Sequence, residues 1–582
     1  MQRLLSLTYG RWRLWPLAVF LCVWITAMFC LMLPYDSVLR QSIRFNAMRA
    51  FNSLASPPWS PEMWMPSDAA ATTNTDNPPV VAMSDNVRLA QHHSQYHVRP
   101  YDNIGLIIKS GYGTRHRVPA QINALGLQPH AEDAGNVVVI GDFTGQIRYN
   151  ITDNQNITLN KFTNSTATAT VAVHNVIAAV LESRAVGPRI RCPRAIKYRG
   201  LSAAIHRGND AEAVSISRDY GWELDAMKFI PGLELAFDVM PNKDWYVMID
   251  DDTFLVPPSL HGFLARLDPA TPLYIGNAVG DFRLRFAHGG SAVVLSRAAV
   301  ALLLDDRAAV HQSYVESLTA TLGDRLLAST LMHVGIYLDE RFSHLFNGAR
   351  PHDTRISADR FCLPLISLHG LTDDARMVDT GRHFDQVNAG GNSNNSSNNN
   401  IPSPPFAWGD LWPLYGRPTV AALRRQPMRS EHDFVGRPGD DSSAANLVST
   451  TVADVPSAEM CRAICERGLD DKEPKGPQSS TQQIQGQSPP HNSPVNVDGT
   501  CLAWTWDGQA LTCTTSPWFV IGVDSRDEDG HTPVPSTTFS GVPAARLQTL
   551  IDRCSRRSGV AWAATDSGYY ALVRSDANDR SA

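Results

Sequence analysis

The amino-acid sequence predicts an α/β fold with a mainly parallel sheet, preceded by an N-terminal membrane-spanning helix and followed by a small disulfide-rich C-terminal module. Three observations carry this expectation. Between residues 100 and 388, short apolar runs closed by turn residues alternate with segments of helical spacing. An uncharged stretch runs from Leu14 to Tyr35, and five cysteines (Cys461, Cys465, Cys501, Cys513 and Cys554) crowd into the last quarter.

The strands of the central region are read from their composition. "IGLIIKS" (104–110) and "NVVVIGD" (136–142) are short apolar runs closed by turn residues, the pattern of buried parallel strands. "RHRVPAQINAL" lies between them as a helix and completes a β-α-β unit. "DWYVMIDDD" is a third strand and "PLYIGN" a fourth, and "SAVVLSRAAVALLLDD" is a strand or turn leading into a helix.

The flanking regions follow from charge and composition. Residues 14–35 are long enough to cross ~30 Å of hydrocarbon and lack the short apolar core and small-residue cleavage site of a signal peptide. Arg3, Arg11 and Arg13 precede them, but Arg40, Arg44 and Arg49 follow, so charge alone orients the span weakly. The reading is a signal anchor: a cytosolic tail at 1–13, the span at 14–35, and a stem at 36–99 that is rich in Pro, Ser, Asn and Asp from Phe51 onward. Sequons at Asn150, Asn156 and Asn164, in a polar stretch read as exposed loop, agree with a lumenal chain.

After the α/β region at 100–388, "GGNSNNSSNNNIPSPP" opens a linker and bridging segment at 389–450. The cysteine-rich module occupies 451–555, interrupted by "EPKGPQSSTQQIQGQSPPHNSP", and a tail covers 556–582. The module is expected to fold independently, stapled by two disulfides among its five cysteines. The cysteines do not form C-x-x-C pairs with histidines, which disfavours zinc. Over 582 residues the formal net charge is -6, which gives no support for nucleic-acid binding.

The chemistry concentrates at Asp250, Asp251 and Asp252. Three carboxylates at the C-terminal end of a buried strand repel one another and raise each other's pKa unless something cationic is present. Ligands of open α/β sheets bind at that end of the strands. Alternation along a strand lets Asp250 and Asp252 point together while Asp251 points away. Carboxylates are hard ligands suited to Mg²⁺ or Mn²⁺, and such ions commonly hold nucleotide phosphates. A solvated acidic turn is the alternative; an EF-hand is disfavoured, because "DDDTFLVPPSLH" lacks the central Gly and terminal Glu.

"GWELDAMKFIPGLELAFDVMPNKDWYVMIDDDTFLVPPSL", "LYIGN", "FAHGGSAVVLSRAAV", "GDRLLASTLMHVGI" and "LPLISLHG" occur in the order seen in the Fringe-like and core-1 β1,3-galactosyltransferase-like proteins of glycosyltransferase family 31. The resemblance covers residues 100–378. "CRAIC", "CLAWTWDG" and "LTC" resemble a PAN/apple module, a pairing seen in fungal members of that family, which would bind protein or carbohydrate.

The resemblance implies a GT-A fold, a UDP-sugar donor, Mn²⁺, a glycoprotein acceptor, inversion at the anomeric carbon and a Golgi type II membrane protein with its catalytic domain in the lumen. Galactosyl transfer to protein-linked N-acetylgalactosamine fits it best. By the same resemblance Asp250 and Asp252 match the D-x-D motif, with Asp250 near the ribose and Asp252 on the metal, and His369 falls at a metal-binding histidine, here followed by glycine where many relatives have a second histidine. Lys109, Ser110 and Asp142 fall at nucleotide-contacting positions, Lys228 at a basic position suited to phosphate, and Asp251 beside them in the acidic motif. Gly289 and Gly290 bring backbone close to donor or acceptor. Asp324 stands at the catalytic carboxylate, where relatives often carry two acids and this chain carries Gly323-Asp324.

Bland readings stay open at this stage: strand-ending Lys109 and Asp142 as solvated residues, Lys228 on a helix surface, and Asp324 as a helix N-cap. A catalytically silent, lectin-like membrane protein is the alternative function.

Overall fold

A computed structural model describes Trp24, Met28, Met32 and residues 38–55, 103–127, 136–150, 168–187, 191–392, 406–415, 418–430, 432–436, 449–467, 501–521, 537–555, 560–564 and 570–574. The span expected at 14–35 lies almost wholly outside these residues. Among the described residues no helix is long and apolar enough to cross a membrane.

The fold is mixed α/β around a seven-stranded sheet. Its strands are β1 (Ile104–Lys109), β2 (Val137–Gly141), β3 (Gly145–Asn150), β4 (Thr168–Asn175), β5 (Trp245–Asp250), β6 (Tyr274–Gly276) and β7 (Val293–Ser296), in the order β3-β4-β2-β1-β5-β7-β6. The four central strands β4, β2, β1 and β5 are parallel, and β3 and β7 run against their neighbours. Helix Arg117–Ala124 connects β1 to β2, so the expected β-α-β unit is present.

Both faces of the sheet are covered, which explains the unbroken apolar runs. Leu106, Ile108, Val247 and Ile249 enter one core, while Ile107, Val138, Ile140, Tyr246 and Met248 enter the other. Each such large side chain stabilises the fold by about 1.5–3 kcal/mol.

Of the stretch read as exposed loop, Asn150 is the exposed last residue of strand β3, and Asn156 and Asn164 lie outside the described residues; β4 follows at Thr168. Two expectations are corrected. The region read as stem from residue 36 contains helix Val38–Ala55, whose Phe45 is only 2% exposed. The cysteine-rich region carries disulfides Cys461–Cys513 and Cys465–Cys501 as anticipated. It is not packed on its own, however: Trp518–Val520 pairs with Arg355–Ser357, and Phe519, Ile521, Val542 and Leu547 join the core under β1 and β5. An antiparallel five-stranded sheet in this region is built from Arg429–Ser430, Thr538–Gly541, Ala503–Asp507, Thr512–Ser516 and Thr450–Val452.

Candidate active site

The site forms where β1 and β5 end side by side, Lys109 being in register with Asp250. Beyond β5 the chain turns at once, with the Thr253 N–H donating to the Asp250 carbonyl at 3.1 Å. Buried Gln121 clamps this turn from below, its Nε2 donating to the carbonyls of Asp250 and Thr253 at 2.7 Å each. The two-residue strand Phe254–Leu255 then pairs antiparallel with Ser367–Leu368, and that register sets His369 beside Asp252.

Asp250, Asp252 and His369 each offer a ligand atom within 4.8 Å of the others. The Nδ1 of His369 lies 3.1 Å from the Gly348 carbonyl and donates to it, which turns Nε2 towards the acids. Nε2 is 3.5 Å from Asp252 Oδ1. Asp252 Oδ1 is enclosed without a hydrogen-bond donor, while Asp250 Oδ1 is paired with the Lys109 ammonium at 2.6 Å. A bound cation would satisfy the unpartnered Asp252 oxygen and the imidazole nitrogen beside it. Two carboxylate oxygens and an imidazole held through its second nitrogen are the donor set that fits Mn²⁺ or a similar divalent ion.

Asp251 turns the other way. Its Oδ2 accepts from Ser110 Oγ at 2.7 Å and Thr114 Oγ1 at 2.5 Å, and Arg117 lies 3.4 Å from Oδ1. Ser110 and Asp251, expected at the donor, thus bond to each other and tie the β1 loop to the acidic turn. Burial and the Asp252 charge push the Asp251 carboxyl up to about 6. Burial, reinforced by Asp250, also raises Asp252. Asp250 goes the opposite way: burial opposes its charge, but Lys109 outweighs burial and holds it below the usual range.

Lys109 and Lys228 are both buried, and both approach Asp225. Lys109 Nζ lies 2.9 Å from Asp225 Oδ2 and stacks over the Phe229 ring at 4.0 Å. Although burial works against its charge, Asp225 and Asp250 hold Lys109 above the ordinary lysine range. Lys228 donates to the Ser110 carbonyl at 2.9 Å and lies 3.7 Å from Asp142 Oδ2. Asp142 itself is fully buried and accepts from the Tyr112 N–H at 2.9 Å. Neither lysine is a surface residue.

On the far side stands the turn His288–Ser291. The Gly289 N–H donates to Asp324 Oδ2 at 2.9 Å, and the Arg325 N–H donates to Oδ1 at 2.7 Å. A side chain at Gly290 would meet His369 Nε2 at 2.3 Å, and one at Gly289 would meet the Phe229 ring at 2.9 Å. The glycines therefore let this backbone touch the histidine on one side and the carboxylate on the other. Helix Gly323–His333 has Leu322 at its N-cap position, so the capping reading of Asp324 is corrected. At Gly323 a Cβ would lie 2.5 Å from the Phe229 ring, so a larger side chain does not fit there. Burial pushes Asp324 above the usual carboxylate range, against the pull of the two N–H donors.

Residues 232–333 match the family model described as Fringe-like. The Fringe-like segment contains Asp250, Asp252, Gly289, Gly290 and Asp324, and it supports assignment as a glycosyltransferase of the family 31 type. Lys109, Ser110, Asp142, Lys228 and His369 lie outside it and are brought to the Fringe-like residues by the fold. Asp225, Arg117, Thr114 and Gln121 also stand at this site.

Proposed function

We propose that this chain is an inverting, metal-dependent β1,3-glycosyltransferase of GT-A type that moves galactose from UDP-galactose to protein-linked N-acetylgalactosamine. The observation that carries the reading is the convergence of Asp250, Asp252 and His369 with Asp324 across the Gly289–Gly290 turn, inside and beside the Fringe-like segment.

Asp250, Asp252 and His369 would hold Mn²⁺, which when bound supplies positive charge for the departing diphosphate. Asp324 is the general base. It takes the proton of the acceptor hydroxyl as that oxygen attacks the anomeric carbon, and the nucleotide leaves from the opposite face. A raised pKa makes it a stronger base than an ordinary aspartate, and its two N–H donors fix its orientation. Lys109, anchored by Asp225, sets the charge of Asp250; Asp142 and Lys228 shape the floor of the nucleotide pocket through the Ser110–Tyr112 loop. Residues 14–35 anchor the chain in the Golgi membrane with the described region lumenal, and the C-terminal region serves as a PAN/apple-like module contacting protein or carbohydrate.

UDP release from a panel of UDP-sugars, with Mn²⁺ or with chelator, tests the proposal. UDP-galactose with an N-acetylgalactosaminide acceptor is expected to turn over only with Mn²⁺, and Asp252→Ala to abolish transfer without unfolding. Full turnover with chelator would sink the metal assignment, and no release from any donor would leave the lectin-like alternative.

A further inference from the structure

We propose that helix Val38–Ala55 belongs to the catalytic unit. It braces the hairpin that carries the His288–Gly290 turn, so that Phe45, Asn46 and Arg49 act as positioning residues for Asp324. The inference rests on the reading of Asp324 as general base.

The helix grips the hairpin at two points. Asn46 Nδ2 donates to the Phe282 carbonyl at 2.9 Å, at the tip between strands Ala278–Gly280 and Arg285–Ala287. Arg49 Nε lies 2.9 Å from Glu340 Oε1, and Glu340 Oε2 accepts from Arg285 Nε at 3.2 Å. Arg285 in turn donates to the carbonyls of Gly280 at 2.9 Å and Ala278 at 3.2 Å, locking the two legs of the hairpin together. The anchor is Phe45, which is 2% exposed and has its ring centroid 6.2 Å from that of Tyr337; the Arg44 guanidinium lies 5.8 Å from the same Tyr337 ring centroid. Half-exposed ion pairs such as Arg49–Glu340 contribute little alone, so the buried ring carries the docking.

From this hairpin the chain runs straight into the site. Ala287 is followed by His288 and then by Gly289, whose N–H holds Asp324 at 2.9 Å. The same turn presents Gly290 to His369. The turn is also tied by the His288 N–H to the Asn277 carbonyl at 2.8 Å, the Ala287 N–H to Tyr274 Oη at 2.8 Å, Thr253 Oγ1 to the Gly290 carbonyl at 2.6 Å and Ser367 Oγ to the Ser291 carbonyl at 2.5 Å. The helix adds a hold on the hairpin that leads into it. A donor N–H whose position depends on a docked helix makes the orientation of the base depend on that helix too.

The test uses the full chain with Phe45→Asp, which expels the ring, and Phe45→Leu, which keeps it apolar. Hydrogen exchange reads the brace without any need for activity. In Phe45→Asp the amides of 285–290 should exchange roughly tenfold faster or more, while β1 and β5 stay protected. With UDP-galactose, Mn²⁺ and an N-acetylgalactosaminide, kcat should fall by roughly 10- to 10²-fold, the scale of a small misplacement of a catalytic group, with the donor KM unchanged. Phe45→Leu should restore both. If Phe45→Asp loses protection throughout, the milder pair Asn46→Ala and Arg49→Ala is read by the same two measures. Unchanged exchange at 285–290, or faster exchange with unaltered kcat, overturns the proposal. A wild-type protein that turns over no donor defeats the glycosyltransferase reading instead, and the exchange experiment then still decides whether the brace exists.

Discussion

Gly290→Ala probes the one place where backbone and candidate metal ligand are closest. A Cβ at residue 290 would lie 2.3 Å from His369 Nε2 and 2.5 Å from its Cδ2, where ordinary contact needs ~3.4 Å or more. The imidazole must therefore retreat by about 1 Å. It has little freedom to do so, because Nδ1 is held by the Gly348 carbonyl and the ring meets His288 edge-on at a centroid distance of 5.2 Å. The turn is equally constrained, since Thr253 Oγ1 donates to the Gly290 carbonyl at 2.6 Å. The displacement thus falls on the nitrogen facing Asp252. Disturbing the support of a metal ligand typically costs 10- to 100-fold in affinity, or about 1.4–2.7 kcal/mol. A Mn²⁺ titration of UDP release should show the half-maximal concentration rising by that factor in Gly290→Ala. Gly289→Ala should act on kcat instead, through Phe229 and Asp324. A wild-type Mn²⁺ dependence in Gly290→Ala would refute the placement of His369 in the metal site.

Other outcomes follow from the same structure. Burial pushes the Asp410 carboxyl up to about 6. Because its folded pKa exceeds its unfolded value near ~3.9, its contribution to stability is fully present below that value and is lost as pH rises towards 6. Asp410→Asn should therefore flatten the decline of Tm between about pH 4 and 6, and an unaltered slope would contradict it. Mass spectrometry of non-reduced peptides should recover Cys461–Cys513 and Cys465–Cys501, each stabilising by about 2–4 kcal/mol, whereas free thiols at these four positions would contradict the pairing. Protease added to sealed microsomes should trim only the short N-terminal tail of the cell-made protein, and digestion of the bulk would reverse the proposed topology.

Strands β1, β2 and β5 were legible because burial on both faces leaves a continuous apolar run, and the turn after β5 because three acids closed it. Strands β3 and β4 were not, since the polar sequon-rich stretch between them masked a strand pair at the sheet edge, where alternate residues of Thr168–Asn175 face solvent. At the site, Asp250, Asp252, Asp324 and His369 could be chosen by motif. Asp225, by contrast, acts on Lys109 across 116 residues of sequence, and Gln121 supports a turn 129 residues away. Such partners are set by tertiary contact and leave no local pattern. Helix Val38–Ala55 was hidden for a related reason: the helix is polar overall, and a buried Phe45 within it leaves a weak periodic signal.

The central claim, that Asp324 removes the acceptor proton at a metal-dependent donor site, is tested most directly by steady-state kinetics of Asp324→Asn with Mn²⁺. Asparagine keeps the size of the side chain and one acceptor oxygen but cannot take up the proton. The account predicts a fall in kcat of about 10²–10⁴ with the donor KM nearly unchanged. In the wild type, kcat should decline on the acid side as Asp324 becomes protonated, at a pH above that expected for an ordinary aspartate. A near-normal kcat in Asp324→Asn would contradict the account. It would turn attention to Asp339 and Glu340, which the structure engages with Arg341 and Arg285.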